Sequence, residues 1–224
     1  MNEDGRTYAD VVRQLKGRPL VQLPLSQLTM GRTSPPWNAL AWTMTEDCQV
    51  RDDVMCVRYP RGCGFLAAPH CLPATDVTLW YRVRFKPGFD LRRCGELPGL
   101  EACGRGSRRG THKFRPAWLP GGKVIARRGP QNVLEKADLN LNMNDTWNTI
   151  VLRVKLNDID TYGPVSNGAM TLSVNGRAAT LGAQTWRQTS DIKIRHIIMR
   201  TFHAFYTWKS PSTTAEFEKF CIVA

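Results

Sequence analysis

The chain has 224 residues, with 31 Lys and Arg against 19 Asp and Glu, for a formal charge of +12. That length suits one domain of generous size, or one domain with an arm, and an apolar content of 42% is enough for a core. No run of about 18 apolar residues occurs, which excludes a spanning helix, and the charge favours acidic partners: nucleic acid, an anionic glycan or a polyanionic neighbour in an assembly.

The N-terminal MNEDGRTYADVVRQLKGRP is polar and charged. It has neither the apolar stretch nor the cleavage site of a secretion signal, so synthesis in the cytoplasm is expected. Tyr8, Val11, Val12 and Leu15 fall at helical spacing, ended by Gly17 and Pro19. Residues 20–45 mix prolines, Ser/Thr and single apolar residues. An extended arm and an ordinary first strand pair both fit that composition. The chain therefore divides into an irregular N-terminal extension, 1–45, and an all-β domain, 46–224.

Short strands with turns are expected over 46–75. In DVTLWYRVRF, Val77, Leu79, Tyr81, Val83 and Phe85 share one face, and Thr78, Trp80, Arg82 and Arg84 the other. This period of two is a strand, and KPGFD turns after it. CGELPGL, residues 94–100, frames Glu96 with Gly95, Pro98 and Gly99 in a tight turn. There Glu96 is expected to pair with Arg92, Arg93 or Arg115.

Residues 104–130 carry Arg105, Arg108, Arg109, Lys113, Arg115, Lys123, Arg127 and Arg128 and no acid. Their Gly and Pro content predicts loops around at most two short strands. These eight cations are the candidate binding surface for phosphates or carboxylates. His112 is expected on a surface loop. WNTIVLRVKLN alternates again, a polar connection follows over 158–167, and Met170, Leu172 and Val174 share a face before the hairpin signal Asn175-Gly176. DIKIRHIIMRTFHAFYTW and EFEKFCIVA read as further strands. Many short strands with Gly/Pro turns predict a jelly roll or two-sheet β-sandwich.

The seven cysteines form no CxxC pair and no zinc-finger spacing. Their odd number leaves at least one thiol unpaired within the chain, and buried thiols and disulfides both stay open. No metal site and no cofactor are expected: HExxH, EF-hand and phosphate-loop patterns are absent. Asn157, Asp158 and Asp160 are close enough for calcium, although a polar connection explains them equally well.

The ordered series GFDLRRCGELPGL, FRPAWLPGG, DTWNTIVLRVKLN, SNGAMTLSVNGRAA and DIKIRHIIMRTFHAFYTWKSPSTTAEFEKFCIVA resembles polysaccharide lyase family 14 over roughly residues 76–224. That family contains alginate and glucuronate lyases, including enzymes of large algal viruses. The resemblance implies a β-jelly roll acting on anionic polysaccharides. It also implies a lysine where this chain has Glu96, a Ser-x-Arg at Lys113-Phe114-Arg115, and a Tyr-x-Tyr pair within Lys123 to Arg127. Only Arg115 matches.

Uronate β-elimination needs a cation or amide on the substrate carboxylate, a base for the C5 proton and an acid for the leaving oxygen. Glu96 reverses the charge at the first position, and the tyrosines are missing. If the chain is a lyase, the available groups are Arg115, Lys113, His112, Lys123 and Tyr206; His203 is a further possible base, and Tyr206 and Trp208 could stack on sugars. The expected function is a non-catalytic jelly-roll protein of lyase ancestry, a virion- or capsid-associated structural or anionic-glycan-binding component. An active uronate lyase and an electrostatic, salt-sensitive nucleic-acid binder are the alternatives.

Overall fold

A computed structural model describes residues 21–22, 28–29, 32–33, 39–43, 48–59, 66–105, 112–129, 131–142, 145–198, 202–203 and 213–224, with some side chains of 21–48, 66–72, 132–138, 202–203 and 213 left aside. The expected helix over Tyr8–Leu15, Arg108, Arg109, Tyr206 and Trp208 lie outside the described residues, as does the side chain of His203. Among the described residues no helix is long and apolar enough to cross a membrane.

Two antiparallel sheets make an all-β sandwich. The first runs Arg177–Gln184, Gly168–Val174, Trp147–Lys155, Asp76–Phe85, Thr213–Val223, Val54–Tyr59, Cys48–Arg51, and Val21–Gln22 adds to Thr213–Val223. The second runs Gln131–Asn140, Lys123–Arg128, His112–Trp118, Gly99–Cys103, Lys193–Ile198, Leu66–Ala74, Ala39–Thr43. Gly95–Glu96 pairs with His112–Trp118 on one side and with Phe202–His203 on the other. Within the segment 1–45, Val21–Gln22 and Ala39–Thr43 each join a sheet. The closing strand Thr213–Val223 lies inside the first sheet, between Val54–Tyr59 and Asp76–Phe85.

Alternation selects which side chains enter the core. Val77, Leu79, Tyr81, Val83 and Phe85 are buried from one strand, with Ile150, Leu152 and Val154 from its neighbour and Met170, Leu172 and Val174 from the next. Leu100, Ala102, Phe114, Trp118, Val124 and Ala126 come from the second sheet. Phe85 meets Trp118 edge-on at 5.8 Å between ring centres, and Phe114 meets Trp186 at 5.4 Å. Tyr81 stacks on Phe220 at 5.0 Å. Asn175 and Gly176 both have positive φ, 52° and 82°, as a tight two-residue hairpin requires.

The opposite face of the first sheet is tied by charge. Arg82 pairs with Glu218 at 2.8 Å, Arg84 pairs with Glu216, and the Arg84 guanidinium lies 4.7 Å over the Trp147 ring.

One link between the sheets positions the outward face of the second. The Tyr81 hydroxyl donates to the Pro98 carbonyl at 3.1 Å, deep in the core. Burial pushes the Tyr81 phenol well above its usual range, so it stays a donor. Pro98 joins Gly95–Glu96 to Gly99–Cys103, and the Leu97 amide donates to the Pro116 carbonyl at 2.9 Å.

Phe220→Ala removes a fully buried ring stacked on Tyr81. It is expected to lower the unfolding free energy by about 3–5 kcal/mol, read as a shifted urea midpoint.

Candidate functional site

On the face of the second sheet turned away from the core, cations and carboxylates stand on neighbouring strands. His112–Trp118 sends Phe114 and Trp118 inward, so Lys113 and Arg115 face outward. Arg115 is opposite Arg127, and Ala117 is opposite Ile125. Glu96 is opposite Ala117 on the other side.

CGELPGL is not a surface turn. Gly95–Glu96 and Gly99–Cys103 are strands, and the Glu96 side chain is 13% exposed. A two-residue strand held through Leu97 and Pro98 escapes period-two reading, because it is too short to alternate. Of the arginines expected near Glu96, the structure selects Arg115: its Nη1 donates to Glu96 Oε2. Arg127 Nη1 approaches Oε1 at 3.6 Å. Arg92 turns instead to Asp90, 2.8 Å from Nε.

Gly99 makes room for this arrangement. A Cβ there would run into the Phe114 carbonyl oxygen and stand 2.7 Å from Arg115 Cγ. The Arg115 stem therefore lies across the glycine, and its guanidinium reaches Glu96 with only 9% of the side chain exposed.

A second carboxylate sits on the same face. Glu101 is opposite both Lys113 and His196. Its oxygens are 3.8 Å from Lys113 Nζ and 3.4 Å from His196 Nδ1. The Cys103 thiol lies 3.8 Å from the same ring nitrogen. Burial, then the Glu101 charge, pushes the thiol upward, so it is a protonated thiol at neutral pH. Sequence reading missed Glu101, His196 and Cys103. Glu101 does stand out as the charged residue of the short strand GLEAC, but His196 is one of three polar residues in KIRHII and carries no signal of its own.

His112 does not lie on a surface loop. It begins the strand His112–Trp118, half-buried beside Phe114, and Arg128 Nη2 donates to its Nδ1 at 3.1 Å. Burial, then the Arg128 charge, lowers its pKa from 6.5 to about 4. Arg128 also lies 5.3 Å over the Trp186 ring. Lys123 and Arg127 share the outward face with Ile125, and Arg105 is exposed at the end of Gly99–Cys103.

Among the described residues no cluster of three or more potential metal ligands occurs. Each of the three residues in the calcium reading accepts a hydrogen bond within the chain. Asn157 accepts from the Arg187 amide at 2.8 Å, Asp158 accepts from Asn167 at 2.6 Å, and Asp160 accepts from the Tyr162 amide at 2.8 Å. Cys56, Cys94, Cys103 and Cys221 are not in disulfides.

No known family profile matches the sequence, and no curated protein matches it. Solved structures match its fold closely. Alginate lyase vAL-1 from a Chlorella virus superposes with a TM-score of 0.70 and 23% identity, over 91% of this chain and 98% of that one. The chain has the alginate-lyase fold. The marine PL-14 alginate lyase of Aplysia kurodai superposes with a TM-score of 0.65 and 15% identity, over 84% of this chain and 90% of that one. A double mutant of alginate lyase Aly36B, in complex with an alginate trisaccharide, gives 0.67 and 14%, over 92% and 98%. On this alginate-lyase fold the outward face carries paired charges, and the stretch Lys123 to Arg127, where the resemblance implied a tyrosine pair, has no tyrosine.

Arg115→Ala leaves a largely buried carboxylate with one fewer cation, so stability should fall by about 3 kcal/mol in urea denaturation. His112 should titrate near 4 by proton NMR. Because its folded pKa lies below the unfolded value of 6.5, the unfolded chain binds the proton more tightly. Stability is therefore lost as pH falls from 6.5 towards 4, and His112→Asn should flatten that slope.

Proposed function

We propose that this chain is a non-catalytic protein of the alginate-lyase fold, a structural or anionic-glycan-binding component that does not cleave its polymer. The observation that carries the reading is the Glu96 carboxylate held by Arg115 and Arg127. Elimination from a uronate needs a positive group aimed at the substrate carboxylate, where charge builds in the transition state. Here that charge already faces an internal carboxylate. A second carboxylate brought beside it would meet repulsion in a poorly hydrated setting.

Proton transfer is equally poorly supplied. The stretch Lys123 to Arg127 holds no tyrosine, and an arginine guanidinium does not titrate in the working range. His112 has its Nδ1 occupied by Arg128, and a pKa of about 4 makes it a weak base at neutral pH. Cys103 is buried and protonated.

Binding of a polyanion asks less. Lys113, Lys123, Arg105 and Arg127 bring more positive charge to this region than Glu96 and Glu101 remove. The net charge of the whole chain adds a long-range attraction. A virion is the setting proposed for such a component, where its positive charge would face polyanionic neighbours.

The test has two parts. Incubation with alginate and polyglucuronate should generate no ultraviolet absorbance from an unsaturated product, and Glu96→Lys should generate none either. Product formed by the wild-type chain would overturn the non-catalytic reading. Electrophoresis through alginate-containing gels should retard the chain, with retardation fading as salt rises. Unchanged mobility at low salt would remove the glycan-binding role.

A further inference from the structure

We propose that Arg115 and Arg127 form a carboxylate-binding site that Glu96 fills from within the chain, so that a sugar-acid carboxylate enters only by displacing it. The inference rests on the reading that this face meets anionic glycans, and it names the place and the control. The two arginines are directly opposed across adjacent strands. Glu96 comes from the strand on the far side of Arg115, and its side chain reaches across the middle strand.

Its two oxygens are divided between the two cations, Oε2 to Arg115 and Oε1 to Arg127. A carboxylate between two guanidiniums is the arrangement an external acid would adopt. The clamp is asymmetric. Arg115 is the inner partner, with 9% of its side chain exposed, and its stem is fixed over Gly99. Arg127 is the outer partner, 31% exposed and more distant from the carboxylate. Water, and so a ligand, reaches the pair from the Arg127 side.

Displacement needs little of the fold. The backbone of Gly95–Glu96 is held by its pairing with Ala117 and Trp118, the Leu97 amide and the Tyr81 hydroxyl. Rotation about the Glu96 side-chain bonds alone would withdraw the carboxylate. Replacing Glu96 by a neutral residue raises the net charge beside the two arginines by one. Glu101 has partners of its own, Lys113 and His196, at 3.8 and 3.4 Å.

Calorimetric titration of glucuronate and of short alginate oligosaccharides into wild-type protein and Glu96→Gln tests the proposal. Glu96→Gln should bind glucuronate about tenfold more tightly or better. Glucose should bind neither protein differently, and Glu96→Gln combined with Arg127→Gln should abolish the gain. Equal glucuronate affinity in wild type and Glu96→Gln would overturn the site. If Glu96→Gln loses its strand signal in circular dichroism, Glu96→Asp gives the same reading. Its carboxylate is drawn back by one methylene, so a smaller gain is expected and no gain overturns. Failure of this site and failure of the glycan reading are separable. Retardation of the wild type in alginate gels with no gain in Glu96→Gln would sink only the self-filled site. A gain without wild-type retardation would sink only the wild-type glycan role.

Discussion

A sheet sealed on one face has only one other direction for its remaining side chains. Phe114 and Trp118 are fully buried against the first sheet, where Phe85 meets Trp118 at 5.8 Å. That contact sets the phase of the strand His112–Trp118. Slipping it by one residue would drive Lys113 and Arg115 into an apolar core, at the cost of two unpaired buried charges. The outward row of cations therefore follows from inward aromatic packing. The Tyr81–Pro98 bond then brings the Glu96 strand alongside, so core and surface are coupled through one hydroxyl.

Charge on this face is arranged in partnered rows. Glu96 is placed by Arg115 and Arg127, and Glu101 by Lys113 and His196. Such pairs contribute modestly to net stability, because desolvation offsets most of the attraction. Their larger effect is on what the surface can receive. A face with bare arginines attracts any carboxylate, whereas a face with internal carboxylates selects ligands able to compete. Under the proposed reading, the same fold would hold a polyanion at equilibrium instead of serving charge development in a reaction.

Legibility in the sequence followed regularity. DVTLWYRVRF and WNTIVLRVKLN pair without a register shift from Asp76–Lys155 to Arg84–Trp147, so their alternation shows which face enters the core, although Thr78 and Trp80 on the other face are buried as well. Strands interrupted by bulges were harder to read. Gln131–Asn140 shifts register twice against Lys123–Arg128, which breaks its apolar period. Gly99–Cys103 shifts register against Lys193–Ile198 between Glu101 and Ala102, right where Glu101 stands opposite His196. No local pattern in GLEAC or KIRHII carries that meeting, because it depends on strands about ninety residues apart in the chain.

By itself, the sequence determined the strand class, the hairpin at Asn175-Gly176, the excess of positive charge and the departure of Glu96 from a lyase pattern. These depend on composition, period two and residue type, all of which are local. Only the tertiary structure decided that Glu96 is a largely buried strand residue shared by two arginines, and that His112 is a neutral partner of Arg128. It also decided that Glu101, His196 and Cys103 stand together. Each of those outcomes depends on which strands become neighbours, and burial of the aromatic core selects the neighbours.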